Sequence, residues 1–360
     1  MIIRLSLISL MASLTFANLD GAYLSRPFQN LVHPKVDTNN DKNRITKSDT
    51  QSVVRNMSSV KSQGSRGTCS IFSAAAMLEG LLAIQGITTN QVDLSEEWLQ
   101  YLNIASSRST TDGSFTSRNF KLIRRFGMPL ERTLPYDSSN WEKSTSVTET
   151  NRCQNLATSE YKMCELGHFN PNFYRMNSQT IINLPGGDVY VNAKEEAAKV
   201  KASIPSLSPR YSMYSVSEIK ERLQQGLPVI LDINFFYGAW NHRKAEEYGI
   251  GRSLDQWSKG IVGYPEYRSV DYKKSMENRA GHSVLLVGYD DDKEVTTTVK
   301  MQDGTVKTFT YKGVYFFKNS WGTGSFGASA DIDGNTEPGY GLITQKYSHE
   351  HGSFYKLDFN

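Results

Sequence analysis

Apolar and polar positions change rhythm part-way along the chain. Near the front, glycines and small polar residues give way abruptly to Ile71-Phe72-Ser73-Ala74-Ala75-Ala76-Met77-Leu78. Ala, Met and Leu are strong helix formers, and Gly86 stands where a left-handed cap would end a helix that starts at or near Cys69. Asp93 and Glu96 fit a capping box that opens a second helix through Trp98 and Leu102. A third helix, from about Ser117 to Phe126, stops at Gly127 and Pro129. Residues 137 to 212 show little beyond a Lys/Glu/Ala patch near 193–202, read as a short solvated helix. Ser215 and Glu218 then cap a helix that is apolar at Val216, Ile219 and Leu223 and closed by Gly226 and Pro228. From there the apolar runs are continuous rather than helical. Pro228–Ile233 and Ser283–Tyr289 read as buried strands. Val295–Val299 and Thr305–Phe309 flank Asp303-Gly304 as a hairpin, and Gly313–Lys318 and Gly339–Ile343 complete the strand set. A helical front and a β-rich back imply an α+β chain with two lobes.

Composition narrows the partners. The formal charge of +3 over 360 residues is nearly balanced, and Lys and Arg are scattered. Neither nucleic acid nor a membrane surface is expected as a partner. Arg4, the apolar stretch Leu5–Phe16 and the small residues around Ala17 form an export signal over 1–17, so the chain is expected to be secreted or periplasmic. Residues 18–50 are polar and unpatterned, a linker or a short pro-segment, and 51–360 carry the main domain. Oligomeric state is not legible. Three cysteines occur. In an oxidising compartment Cys153 and Cys164 can pair and leave Cys69 free. With His168 that pair could instead begin a zinc site, but no fourth ligand offers itself. No metal and no cofactor are expected.

Cys69 falls at the first turn of its helix, where unpaired N–H groups and the helix dipole favour a thiolate. A small buried cysteine would fit there as well. A thiol nucleophile needs a base. His282, between Ala280-Gly281 and a strand, is the best placed, although a structural histidine would read the same way. His33, His168, His242, His349 and His351 lie in loop-like contexts and read as surface residues. Asn319, after Phe316-Phe317 and before Ser320-Trp321-Gly322, could hold an imidazole in one tautomer, or be a turn residue. Gln63 could place a side-chain amide beside the Cys69 N–H to meet a developing oxyanion.

Read together, these segments resemble a known family. VKSQGSRGTCSIFSAAAMLE is similar to the active-site segment of papain-like cysteine peptidases, AGHSVLLVGYD to their histidine segment and GVYFFKNSWGTGSFG to their asparagine segment, in the same order. LSEEWLQYL, FGMPLERTLPY, the Leu227–Ile233 strand and EPGYGLITQ also sit where the family has comparable segments. The resemblance implies a helical lobe carrying Cys69, a β-barrel-like lobe carrying His282 and Asn319, and a protein or peptide substrate in the cleft between. It makes Cys69 the nucleophile, His282 the general base and then acid, Asn319 its orienter, Gln63 an oxyanion donor, and Trp321 a cover over the Asn–His contact. An imidazole beside Cys69 is then expected to lower the thiol pKa to ~3–4. The same fold without activity, as a binding protein, and an acyltransferase using the same triad are the alternatives.

Several positions depart from the family pattern. Arg66 replaces the second cysteine that family members place three residues before the nucleophile, so their disulfide is missing; Arg66 could help hold the thiolate by charge or face solvent, and solvent is the expectation. Ser70 replaces an aromatic. The family's glycine pair appears as Gly113-Ser114, with Phe115 beside it to line an apolar substrate pocket. Cys69 and His282 are 213 positions apart, against ~130–150 in the family. The excess lies in insertions at 137–212 and 235–279, which could form a lid, a partner surface or remote decoration. Asp331–Asn335 superficially suits a calcium loop, but its glycine is misplaced and no glutamate stands at the twelfth position, so a turn is expected.

Overall fold

The computed structural model describes residues 24–28, 31–36 and 45–360. The expected export signal lies outside these residues. After a short helix α1 (Thr50–Val54), α2 (Cys69–Ile84) begins at Cys69 itself, and Gly86 takes φ +67° just beyond its end, as the pattern predicts. Helix α3 (Glu96–Ser107) is capped differently from the expectation. Ser95 Oγ accepts from the Trp98 amide at 3.1 Å, while Asp93 and Glu96 both turn to the Lys61 ammonium. No capping box forms, because an ion pair outcompetes it. Helix α4 (Thr116–Phe126) ends at Gly127, whose φ is +74°.

The 137–212 insertion is mostly helical: α5 (Val147–Cys153), α6 (Thr158–Gly167), α7 (Ser178–Ile181) and α8 (Gly187–Ser203). A disulfide joins Cys153 to Cys164 and so ties α5 to α6. Helix α8 is longer and less solvated than the Lys/Glu/Ala patch suggests. Tyr190, Val191, Ala193 and Ala197 are buried, and the Tyr190 ring packs on Trp98 and Tyr101. The charged residues form only its outer face.

Helix α9 (Val216–Gln224) starts at Ser215, whose Oγ accepts from Glu218 N at 3.2 Å. Nine strands are present among the described residues: β1 (Ser212–Met213), β2 (Val229–Phe235), β3 (Ile261–Val262), β4 (Ala280–Lys300), β5 (Val306–Lys318), β6 (Asp331–Ile332), β7 (Asn335–Thr336), β8 (Tyr340–Thr344) and β9 (Gly352–Tyr355). β6 and β7 form a separate tight hairpin in which Asp331 Oδ1 accepts from Gly334 N. The other seven make one sheet in the order β1-β9-β2-β4-β5-β8-β3, antiparallel except for the β3–β8 pair. β1 and β3 are two-residue edges at opposite ends and do not pair, so the sheet stays open. The expected barrel does not close; the α+β class stands.

Side chains alternate across this sheet with the period of two that a strand imposes. Ile230, Leu285, Val287, Val314 and Phe316 point into the core shared with the helices. Leu231, Ile233, Val284, Leu286, Tyr315 and Phe317 point into a second core on the opposite face. Burial on both faces explains why these strands read as unbroken apolar runs. α2 packs on β4, which brings the start of the front helix against the strand that carries His282. Among the described residues, no helix is long and apolar enough to cross a membrane.

Candidate active site

Three segments converge at one end of β4. Ser62 bridges Trp321 in antiparallel fashion, and Gln63 N donates to Ser320 O at 2.9 Å. The Gln63 side chain is tied on both sides: Oε1 accepts from Ser320 Oγ at 2.8 Å, and Nε2 donates to Arg66 O at 2.6 Å. The loop that leads into Cys69 is therefore zipped to the loop that carries Asn319.

His282 is the third residue of β4 and is fully buried. Its Nε2 lies 2.9 Å from Asn319 Oδ1, which also accepts from Ser320 N at 2.9 Å. Two donors on one oxygen fix the carboxamide orientation. A carboxamide oxygen can only accept, so Nε2 carries the proton and Nδ1 keeps its lone pair. Nδ1 has no hydrogen-bond partner. Trp321 stacks on the imidazole with centroids 4.4 Å apart, and Trp240 meets it edge-on at 5.1 Å.

Cys69 is also fully buried. Its Sγ donates to Ser25 Oγ at 3.4 Å, and Ser25 Oγ donates to the carbonyl of Gly281 at 3.1 Å. One serine thus links the thiol to the residue before His282. Ser25 also pairs with Gly281 through both backbone bonds, each 3.1 Å long. Residues 24–28 lie across the site, joined to β4 by the single antiparallel bridge at Ser25. A side chain at Gly281 would strike Arg26 O and the Phe28 ring, and one at Gly67 would meet Leu24 O at 3.0 Å. Phe28 packs beside Phe115, with ring centroids 6.1 Å apart.

This cover sets the electrostatics. Burial pushes the Cys69 thiol up to about 11, which outweighs the hydrogen bonds it makes, and burial pushes His282 down to about 3. The low thiol pKa expected from the sequence does not hold in this arrangement. The helix start still favours an anion, but the desolvation cost is larger.

Other expectations need correction. Arg66 does not face solvent; it is 1% exposed. Its guanidinium meets Asp112 at 2.8 and 3.3 Å and donates to the Leu166 carbonyl. His168 and His242 are not surface residues either. His168 stacks on Trp141 and bonds Glu97 through Nδ1 at 2.7 Å; His242 sits among Phe235, Tyr237 and Trp257. Gly113 has φ +103° and lies beside Ser25 and Arg26. Ser114 is turned inward, its carbonyl and hydroxyl bonded to Ser70 Oγ. Phe115 is 45% exposed.

Residues 46–204 match the model of a family described as papain family cysteine protease. Over that span the chain is similar to the papain family. The span holds Gln63, Cys69 and Gly113–Phe115; His282, Asn319 and Trp321 lie beyond the matched papain-family span. No curated protein matches the chain in a sequence comparison. Among solved structures, it is similar to xylellain, a cysteine protease from Xylella fastidiosa, at 14% identity and TM-score 0.48, covering 94% of this chain and 99% of that one. Procathepsin L 3 of Tenebrio molitor larval midgut gives 17% identity and TM-score 0.46, with 94% and 77% covered. Bromelain from Ananas comosus gives 16% and 0.43, with 88% and 100% covered.

Sequence reasoning missed two residues at this candidate site. Ser25 lies in a polar, unpatterned stretch and carries no signal. Asp232 does carry one: a lone carboxylate inside the apolar run Val229–Ile233 has to be satisfied somewhere. It accepts from Thr116 Oγ1 at 2.7 Å, and burial raises it to about 6.

Proposed function

We propose that the chain is an exported cysteine peptidase that hydrolyses peptide bonds, and that the arrangement above is its covered, latent state. One observation carries the reading: an imidazole held by Asn319 through Nε2, shielded by Trp321, with Nδ1 unpartnered beside the segment that bonds the Cys69 thiol. On this reading 1–17 is removed on export, and residues 18–50 act as a pro-segment rather than a linker. When residues 24–28 leave, water reaches both groups and the desolvation that keeps them neutral is relieved. The Sγ proton passes to His282 Nδ1, giving a thiolate and an imidazolium that Asn319 keeps in register.

The thiolate attacks the substrate carbonyl carbon and the carbonyl π electrons move to oxygen. The Cys69 N–H and the Gln63 carboxamide receive that oxyanion. Collapse breaks the C–N bond as Nδ1–H protonates the leaving amine. Water, deprotonated by Nδ1, then hydrolyses the thioester and frees Cys69. Gly113 and Ser114 would flank the substrate backbone. Phe115 would take an apolar side chain where Phe28 now packs, and Trp321 would bound the far side.

Digestion of a peptide library with wild type and Cys69→Ala, both freed of the N-terminal covering segment, with and without an added amine, tests this. Cleavage to free acids by wild type alone is the expected result. Equal cleavage by Cys69→Ala overturns the reading, and amide products show acyl transfer instead. A second reading, a binding protein without activity, is favoured by the complete burial of Cys69 and His282. A thiol that stays unreactive toward alkylating agents after the N-terminal segment is removed would select it.

A further inference from the structure

We propose that the cavity between the 235–279 insertion and the β4–β5 hairpin is a binding site for a small organic carboxylate with an apolar body. The cavity holds about 440 Å³, and its walls include Ile250, Arg252, Tyr264, Thr297, Val299 and Lys300. That volume falls within the ~300–1,000 Å³ of small-molecule pockets. The cavity is separate from the cleft, since none of Cys69, His282 and Asn319 lines it.

Most polar groups on this wall already satisfy one another. Asp271 accepts from the amides of Gly238 and Ala239 and from Ser275 Oγ, each at 2.8 Å. Asn241 Oδ1 accepts from Ser253 N at 2.8 Å, and Asn241 Nδ2 donates to Gln256 Oε1 at 3.2 Å. Gln256 Nε2 donates in turn to Thr296 O at 2.9 Å. Thr296 and Thr298 pair with Thr310 and Thr308 across the hairpin. Three side chains are left over. Thr297 is 8% exposed, and its Oγ1 has no hydrogen-bond partner. Arg252 Nε is buried and unpartnered as well. Among the described residues, neither Arg252 nor Lys300 is paired with a carboxylate.

What remains is a set of donors: a guanidinium, an ammonium and a hydroxyl. Buried donors without acceptors are costly, and an anion supplies what they lack. Asp271 is the one carboxylate on the wall against the two cations, so the wall stays positive. The Arg252 guanidinium rests on the Trp257 ring, 5.2 Å from its centroid, and Trp257 Nε1 is itself held by Ser325 Oγ at 3.0 Å. A guanidinium fixed in this way offers Nε–H and one Nη–H as a parallel pair, the spacing of the two oxygens of a carboxylate. Ile250, Val299 and Val306 add apolar surface, and Val306 is 65% exposed. A bare inorganic anion would leave that surface wet, whereas a carboxylate on an apolar body covers it.

The test titrates N-acetyl-leucine into the full chain carrying Cys69→Ala, in which residues 24–28 still cover the cleft. Binding is then not binding in the cleft, and a failure here leaves the peptidase reading untouched. Calorimetry is expected to show one site with Kd of about 1 mM or tighter. Arg252→Gln should weaken binding at least about tenfold, the effect of losing a hydrogen bond to a charged group. If that variant does not fold, Arg252→Lys, which keeps the charge but not the fork, replaces it and should also weaken binding. Thr297→Val should weaken binding while leaving Tm unchanged or higher, because the hydroxyl it removes bonds nothing in the free protein. A tripeptide ending in the same free leucine separates two sources: tighter binding assigns a peptide end, equal or weaker binding a small free acid, and both support the site. No saturable binding up to about 10 mM overturns the proposal. So does N-acetyl-leucinamide or inorganic phosphate binding as tightly as N-acetyl-leucine, or binding that Arg252→Gln leaves intact.

Discussion

Removing the covering segment should change the chemistry of Cys69 more than any change within the site. The perturbation is a chain that starts at residue 45, lacking the Ser25–Gly281 bridge and the Ser25 bond to the thiol. With the thiol at about 11, only about one molecule in 10⁴ carries a thiolate at pH 7. An unperturbed cysteine, at pKa ~8.5, carries about 3%. Relief of burial alone is therefore worth about 300-fold in thiolate, and an ion pair with His282 adds to it. Steric access acts in the same direction, since the sulfur is wholly enclosed. The assay is iodoacetamide alkylation at pH 7 followed by mass spectrometry of the Cys69 peptide. A truncated chain alkylated at the rate of the full chain would refute the reasoning, because it would mean that something other than residues 24–28 enforces the neutral thiol.

Three further outcomes are expected. Uncovering should be nearly independent of pH between about 4.5 and 7.5. The covered pair (thiol, neutral imidazole) and the uncovered pair (thiolate, imidazolium) hold the same single proton, because Nδ1 takes the one that leaves Sγ; loss of the N-terminal segment that runs about tenfold faster at pH 4.5 than at 7.5 would contradict this. Asp112→Ala should destabilise the chain by about 3–5 kcal/mol in urea unfolding, since it strands a buried guanidinium, whereas Arg66→Met with Asp112→Leu should cost much less; an additive double variant would show that the pair is not a unit. Asn319→Ala should lower kcat about 100-fold with KM little changed, because the imidazole loses its orientation rather than the substrate its contacts; a change confined to KM in steady-state assays would refute that role.

The chain's helices and strands were legible wherever one local rule dominated. The start of α2 at Cys69 and the ends at Gly86, Gly127 and Gly226 follow from propensity and left-handed glycines. Long-range pairing was not legible. Asp93 looks like a cap in isolation because Lys61, its partner, lies 32 positions earlier in the chain, and Arg66 looks solvated until Asp112 arrives from another loop. His168 and His242 read as surface residues because polar neighbours in sequence are not neighbours in space. β4 merges two predicted strands through an irregular stretch between Asp290 and Glu294 that no period marks. At the candidate site, the residue types were visible in the sequence but their state was not, because that state depends on a serine in an unpatterned tail.

The Arg66–Asp112 pair has a practical consequence. A guanidinium and a carboxylate, not sulfur, brace the loop that leads into Cys69. Reductant attacks a sulfur brace. An ionic brace is indifferent to electron supply. This loop should thus hold its shape at glutathione or dithiothreitol levels that open Cys153–Cys164 between α5 and α6, leaving the Cys69 thiol in a frame that redox chemistry does not touch.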